Sequence, residues 1–442
     1  MLKFYEFFDK KIVGLIKGAG LHFVFYALNL IIVYLLAIII AKFFGPEVYG
    51  RYSIIKSSLM ILIIVATLGT NTLAVKMASD ELHYSNHRYK TNFVRKSYFL
   101  ILITSLLIAL VIFGFREELA TFVFADKQLE RYFYIFPVLF LAISFLNYNS
   151  NLLKGQKRVL AFSFLNTFFN NFIFLSAILI CVFTLGHTEE NVIIYGFPIS
   201  VLIACVVSII KIFPIKYFEV KKKISYREIL ARSIPMMMSA SMIYFILSSD
   251  IIILGLFETS KKVGVYRVIT QIASVNTIFL IVFGVILSPQ ISSLYASKKN
   301  VALKELIEKS VKIIFYVTLP ISLIIILFSK ELLSFFGSDF EKEYLALILL
   351  CGFQFFYTIS GFVDIILNMT GNERIFGKIT FFTATLNIIL NLITIPYYGV
   401  LGAAFSTGIS IVFTNIISLY IINKRLKIKA IYLPFLNKKD AR

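Results

Sequence analysis

Along most of this chain apolar residues come in runs too long and too unbroken for a water-solvated core. Stretches without Asp, Glu, Lys or Arg occupy 18–41, 57–75, 97–115, 132–153, 159–188 and 191–210. They resume at 233–249 (continuing past Asp250 to 257), 268–297, 313–329, 344–363 and 379–423. A helix rises 1.5 Å per residue and needs about 20 apolar residues to cross the hydrocarbon of a bilayer. The last run is too long for one crossing, and Pro396-Tyr397-Tyr398-Gly399 with Gly402 divides it. The pattern predicts an all-α polytopic membrane protein with twelve spans.

Composition agrees with that reading. Of the 442 residues 59% are hydrophobic and 15% charged, with a mean hydropathy of +0.86, whereas soluble domains carry about 25% charged residues. Residues 1–17 are charged and short of apolar length, so no cleavable signal peptide is expected. Cys181, Cys205 and Cys351 lie within apolar runs and read as small core residues. With no Trp in the chain, the interfacial aromatic positions fall to its 24 Tyr.

The net charge of +20 invites a nucleic-acid reading until the charges are placed. If the N-terminus is cytoplasmic, 33 of the 44 Lys and Arg fall on cytoplasmic segments, while the outer segments hold ten, with twelve Asp and Glu. That asymmetry follows the positive-inside rule and puts both termini in the cytoplasm. It leaves no folded basic domain for a nucleic acid. His83 and His87 have helical spacing but sit in a basic cytoplasmic loop without further ligands, so no metal site is expected. Asn368-Met369-Thr370 matches a glycosylation acceptor on the wrong side of the membrane.

Between the first two runs the chain pauses at FFGPEVYGRYSII, residues 43–55. The pause reads as a tight external hairpin in which Pro46 stops the incoming helix, Gly45 and Gly50 supply unusual backbone conformations, and Tyr49 and Tyr52 anchor at the interface. A fainter copy, KKVGVYRVI, stands at 261–269, about 214 residues later. Lys154-Gly-Gln-Lys-Arg158 repeats as Thr370-Gly-Asn-Glu-Arg374, and Asn171 falls on Asn387. Six spans separate each pair, so the copies share one orientation and build two pseudo-symmetric six-helix bundles about a cavity. The expected division is a lobe at 1–214, a basic cytoplasmic connector at 215–232 and a second lobe at 233–442.

At these residues the chain resembles the Wzx-type flippases, the polysaccharide-transporter branch of the multidrug/oligosaccharidyl-lipid/polysaccharide exporter superfamily. The motifs are Gly45-Pro-x-x-Tyr49-Gly50-x-Tyr52, Gly155-x-x-Arg158, Ser233-x-Pro235, Asp250 and Val263-Gly264-x-Tyr266. The resemblance covers essentially the whole chain. It implies a MATE-like fold and the movement of undecaprenyl-diphosphate-linked oligosaccharide from the inner to the outer leaflet of a bacterial inner membrane, by alternating access. The product would feed O-antigen or another surface polysaccharide. The implied partners are that lipid-linked sugar, the membrane lipid, and the polysaccharide polymerase with its chain-length machinery. Two other readings stand beside it: a MATE-type ion-coupled exporter of small molecules, and a membrane-embedded polysaccharide polymerase or ligase. The latter needs catalytic groups on a sizeable outer loop, and the longest outer loop here is 116–131.

A diphosphate crossing lipid needs cations facing water. Lys17 and Arg232, at the starts of spans one and seven, are candidates for the inner mouth; Lys56 and Arg267 are candidates toward the outer side. The alternative for Lys17 and Arg232 is ordinary positive-inside placement, and for Arg267 snorkelling to the interface. No nucleotide-binding loop and no cofactor motif is present. The energy source is therefore a proton or sodium gradient, or consumption of product outside. Asp250 and Asp364 are the intramembrane carboxylates for an ion site, against structural pairing for Asp250 and cytoplasmic solvation for Asp364. Span-borne amides such as Asn29, Asn170, Asn171, Asn276, Asn387 and Asn391 read mainly as glue between helices.

Overall fold

A computed structural model describes residues 10–83, 90–156, 158–186, 188–212, 224–432 and 434. Among the described residues there is no strand. The helices are α1 Lys10–Ile39, α2 Gly45–Thr67, α3 Thr70–His83, α4 Lys90–Gly114, α5 Arg116–Glu118, α6 Leu129–Gly155, α7 Val159–Ser163, α8 Asn170–Leu179 and α9 Asn191–Ile212. They continue as α10 Tyr226–Phe257, α11 Ser260–Ser274, α12 Ile278–Ala296, α13 Asn300–Leu327, α14 Ser329–Ser334, α15 Ser338–Glu341, α16 Tyr344–Ile359, α17 Val363–Met369 and α18 Glu373–Leu426. π-helical turns at Ile40–Phe44, Phe164–Phe169 and Ile180–Thr184 interrupt the first and fifth expected runs.

The chain divides into two compact units, Met1–Ser241 and Met242–Arg442. The division falls inside α10, beyond the expected connector, of which residues 215–223 lie outside the described residues. The start of α10 is held within the first unit: the Lys96 ammonium donates to the Ile224 carbonyl at 2.6 Å and lies over the Tyr226 ring.

Among the described residues eight helical segments are long and apolar enough to cross a membrane, nine with the bent pair Leu160–Asn166 and Asn170–Thr184. Their surfaces invert the soluble pattern. On α4, Ser97, Ile101, Ser105 and Ala109 are buried at four-residue intervals, while Leu106, Leu107, Leu110 and Val111 are exposed. Small residues let helices approach closely, and the larger apolar side chains face lipid.

Two of these segments each contain residues of two expected spans. Val24–Thr67 is broken at Gly45, whose φ of 86° lies outside the range most side chains tolerate. This corrects the reading of the hairpin. Pro46 belongs to the first turn of α2, where its missing N–H is harmless. Gly50 is helical, and Tyr49 and Tyr52 are buried among protein side chains. Glu373–Leu426 breaks at Gly399 (φ 52°, ψ −124°), as the Pro-Tyr-Tyr-Gly stretch foretold. Its two arms run antiparallel, because their partners converge on that turn. Thr383 meets Thr414 at 2.7 Å, Asn387 donates to Ser410 at 3.2 Å, and Thr394 meets Ser406 at 2.7 Å.

The two units repeat their ties. In the first, Asn171 on α8 donates to Asn29 on α1 at 2.7 Å; in the second, Ser249 on α10 donates to Asn387 on α18 at 3.0 Å. The turn after the fourth run is likewise tied to the end of the unit's last helix. Arg158 donates to the Lys211 carbonyl at 3.0 Å, and Arg425 donates to Asn372 at 2.8 Å. The core of the second unit gathers Ile307, Val311, Ile314, Phe362 and Ile366 with Ile428 and Ala430, which follow the end of α18.

Candidate functional site

In the first unit the motif tyrosine and a candidate cation share one face of α2. Tyr52 is buried, its ring packed on Phe174 and Phe197 with centroids 5.6 and 5.2 Å away. Four residues on, the half-buried Lys56 donates to the Tyr52 hydroxyl at 3.2 Å and lies 5.3 Å from its ring centre. The i,i+4 spacing places the two side chains together, and the aromatic packing fixes the hydroxyl.

One residue before Tyr52, Arg51 organises the neighbouring end of the unit. Its Nε donates to Asp126 at 2.7 Å and its Nη1 to both carboxylate oxygens of Glu190 at 3.1 Å. Tyr132 also donates to Glu190, at 2.9 Å. The guanidinium has the planar fork that suits paired carboxylates. Arg232, on α10, is exposed and pairs with Glu228 at 2.9 Å. Lys17 lies on α1, and its side chain is outside the described residues.

In the second unit the corresponding motif tyrosine, Tyr266 on α11, meets a carboxylate. Its hydroxyl donates to Asp250 Oδ2 at 2.8 Å, and Thr407 on α18 donates to the same oxygen at 3.5 Å. Asp250 Oδ1 accepts the Ile251 N–H at 2.8 Å. Asp250 and Tyr266 are buried, and Asp250 lies within the electrostatic reach of Arg267. Arg267 is half-buried and its side chain makes no hydrogen bond or ion pair among the described residues. Asp364 stands apart from this group, in the first turn of α17 just past the break between α16 and α17, where backbone N–H groups bond it.

Around the start of α11 the second unit carries a charged cluster. Lys261 donates to Asp339 at 2.7 Å, and with Lys342 it holds that carboxyl below its usual range. Lys262 pairs with Glu258 at 2.9 Å. Burial pushes the Glu343 carboxyl up, Lys262 opposes the shift, and Glu258 reinforces it. Among the described residues no group of three or more His, Cys, Asp or Glu is arranged to hold a metal.

The structure thus brings Asp250 and Arg267 together in one unit and puts Lys56 under a tyrosine in the other. Sequence reading missed Tyr52, Tyr266, Thr407 and Arg51 as polar partners. The one local signal was the four-residue spacing of Tyr52 and Lys56.

The profile of a family described as polysaccharide biosynthesis protein matches residues 15–295, and that of the MatE family matches 235–393. A probable low-salt glycan biosynthesis flippase of Haloferax volcanii is 25% identical over 43% of this chain and 40% of its own length. A capsular polysaccharide biosynthesis protein of Staphylococcus aureus is 24% identical over 48% of this chain and 54% of its own. The chain therefore spans about half or less of the curated relatives it matches. An inward-facing multidrug-resistance MATE transporter aligns with a TM-score of 0.73 at 15% identity, covering 91% of this chain and 94% of that one. The lipid II flippase MurJ aligns with a TM-score of 0.73 at 15% identity, covering 92% and 87%. At these identities the likeness to the solved structures is one of fold: the chain has the architecture of the MOP transporters.

Proposed function

The chain belongs to the polysaccharide biosynthesis protein family, and on that premise we propose that it is a multi-pass membrane flippase for lipid-linked saccharide. Its substrate is an oligosaccharide on undecaprenyl diphosphate, moved from the cytoplasmic to the outer leaflet of a bacterial inner membrane by alternating access. The product enters O-antigen or another surface polysaccharide through a polymerase and its chain-length machinery. The chain crosses twelve times with both termini in the cytoplasm, and it is a transporter rather than an enzyme.

The family match over residues 15–295 carries this reading. Physical support comes from Arg267, a half-buried cation without an ion pair among the described residues, which suits an anionic diphosphate. Lys56 is the corresponding cation of the first unit, and Lys17 and Arg232 receive the headgroup on the cytoplasmic side. Asp250, buried under Tyr266 and Thr407, is the site for a coupling proton or sodium ion. Asp364 is a secondary candidate.

The test is reconstitution of the whole chain in liposomes with a fluorescent polyprenyl-diphosphate oligosaccharide. Flipping above that of empty vesicles, lost in Arg267→Ala and Lys56→Ala at equal protein levels, supports the reading. The MatE match at 235–393 favours a second reading, ion-coupled export of small molecules. Efflux of a cationic dye with no movement of the lipid-linked sugar would establish that reading instead.

A further inference from the structure

Tyr52 and Tyr266 occupy the same place in the repeated motif, yet the charges at their hydroxyls are opposite. In the first unit the Tyr52 hydroxyl accepts from the Lys56 ammonium at 3.2 Å. In the second the Tyr266 hydroxyl donates to the Asp250 carboxylate at 2.8 Å. A neutral phenol does both, since it carries one donor and acceptor lone pairs. Phe at either place would keep the packing and lose the contact.

We propose that these two tyrosines are positioning residues of opposite polarity, Tyr52 presenting Lys56 to the substrate diphosphate and Tyr266 holding Asp250 for the coupling cation. The assignment rests on the flippase reading above and gives the two tyrosines different tasks: Tyr52 serves the anion of the substrate, Tyr266 the ion that drives it. Neither Tyr touches substrate in this scheme; each acts through its charged neighbour.

The surroundings fit a fixed hydroxyl in both cases. Tyr52 is wedged between the Phe174 and Phe197 rings, so its hydroxyl has little freedom to leave Lys56. Tyr266 is buried and its hydroxyl also lies 3.3 Å from Thr407, which itself donates to Asp250. The titratable or charged groups acting on Asp250 are Tyr266 and Arg267, both on α11; α18 contributes the neutral Thr407. A buried carboxylate held by two hydroxyls keeps a fixed direction whether it binds a proton or a metal cation.

The experiment uses the full chain in liposomes, with a labelled polyprenyl-diphosphate oligosaccharide as probe and imposed proton or sodium gradients. Tyr52→Phe is expected to raise the half-saturating substrate concentration by roughly 3–10-fold, the size of one lost ordinary hydrogen bond, with unchanged gradient dependence. Tyr266→Phe is expected to shift the pH or sodium dependence of the rate and leave half-saturation unchanged. Two double variants exclude a merely structural role. Tyr52→Phe should add nothing to Lys56→Ala, and Tyr266→Phe nothing to Asp250→Asn. If one tyrosine variant fails to fold, the other pair still decides. Additive effects, or both tyrosine variants moving the same parameter, overturn the assignment. Should Lys56→Ala and Asp250→Asn themselves leave transport and its gradient dependence untouched, the site reading falls first and this assignment with it.

Discussion

Arg51 donates to Asp126 across 75 positions of sequence at 2.7 Å, with only 11% and 13% of the two side chains exposed. The same guanidinium bridges to Glu190, so one cation ties α2 to two later segments of its unit. Removing it takes away the guanidinium that both carboxylates bond. Breaking a buried pair from one side costs about 3–5 kcal/mol, and the partial exposure here brings the expected loss toward about 3 kcal/mol. Arg51→Ala should lower the thermal unfolding temperature in detergent, and Arg51→Lys should recover only part of it, because an ammonium lacks the fork. An Arg51→Ala protein with wild-type unfolding would show that the network is idle.

Gly408 on α18 faces the Phe353 ring on α16 so closely that an added Cβ would fall inside the ring's van der Waals envelope. Overpacking of this kind costs about 1–3 kcal/mol. Gly408→Ala should therefore reduce folded yield and thermal stability, and Phe353→Leu in the same chain should restore much of the loss by vacating the space. No rescue in the double variant would mean that the ring is not the obstacle.

What the sequence made legible follows from what lipid demands. A span must be apolar over its whole length, so the runs, their repeat and the break at Gly399 could all be read without coordinates. The turn at Gly45 was legible in place but not in detail. Proline at the end of one helix and proline in the first turn of the next look alike when only composition is read. An amphipathic ring suits the interface, which is why Tyr49 and Tyr52 read as anchors; packing against aromatic neighbours, as Tyr52 packs on Phe174 and Phe197 and Tyr49 on Tyr52, suits it equally. The site resisted for a different reason. Tyr266 meets Asp250 from 16 residues away and Thr407 from 141, and such pairings are decided by packing between helices, which no local pattern encodes.

Glu343 supplies a pH test outside the spans. Burial raises its folded pKa above that of the unfolded chain. For an acid shifted this way the folded state binds the proton more tightly. Its contribution to stability is greatest below the ordinary carboxylate pKa and falls as pH rises through the folded value. Glu343→Gln removes the penalty, so the variant should unfold at a higher temperature than wild type at pH 7. The difference should vanish at pH values below the ordinary carboxylate range. A variant no more stable than wild type at neutral pH would mean that Lys262 already compensates the charge.

The segment after α18 offers a local test of how the second unit is closed. Lys427 turns the chain into the left-handed region, and the following residues run back over the break between α16 and α17. There Ile428 and Ala430 join the core, and the Tyr432 N–H donates to the Ile359 carbonyl at 3.4 Å. That carbonyl lies at the C-terminal end of α16, where intrahelical donors run out. The Tyr432 ring packs on Phe315 with centroids 5.3 Å apart. Ile428→Asp would put a carboxylate into this apolar pocket, at a cost of several kcal/mol if the segment stayed in place. The segment should instead detach, and amide exchange should rise at residues 359–369 and 428–432 while α2 and α6 in the other unit keep their protection. Exchange that rises equally in both units would mean global unfolding. Exchange that does not change at 359–369 would mean that the break closes without the segment.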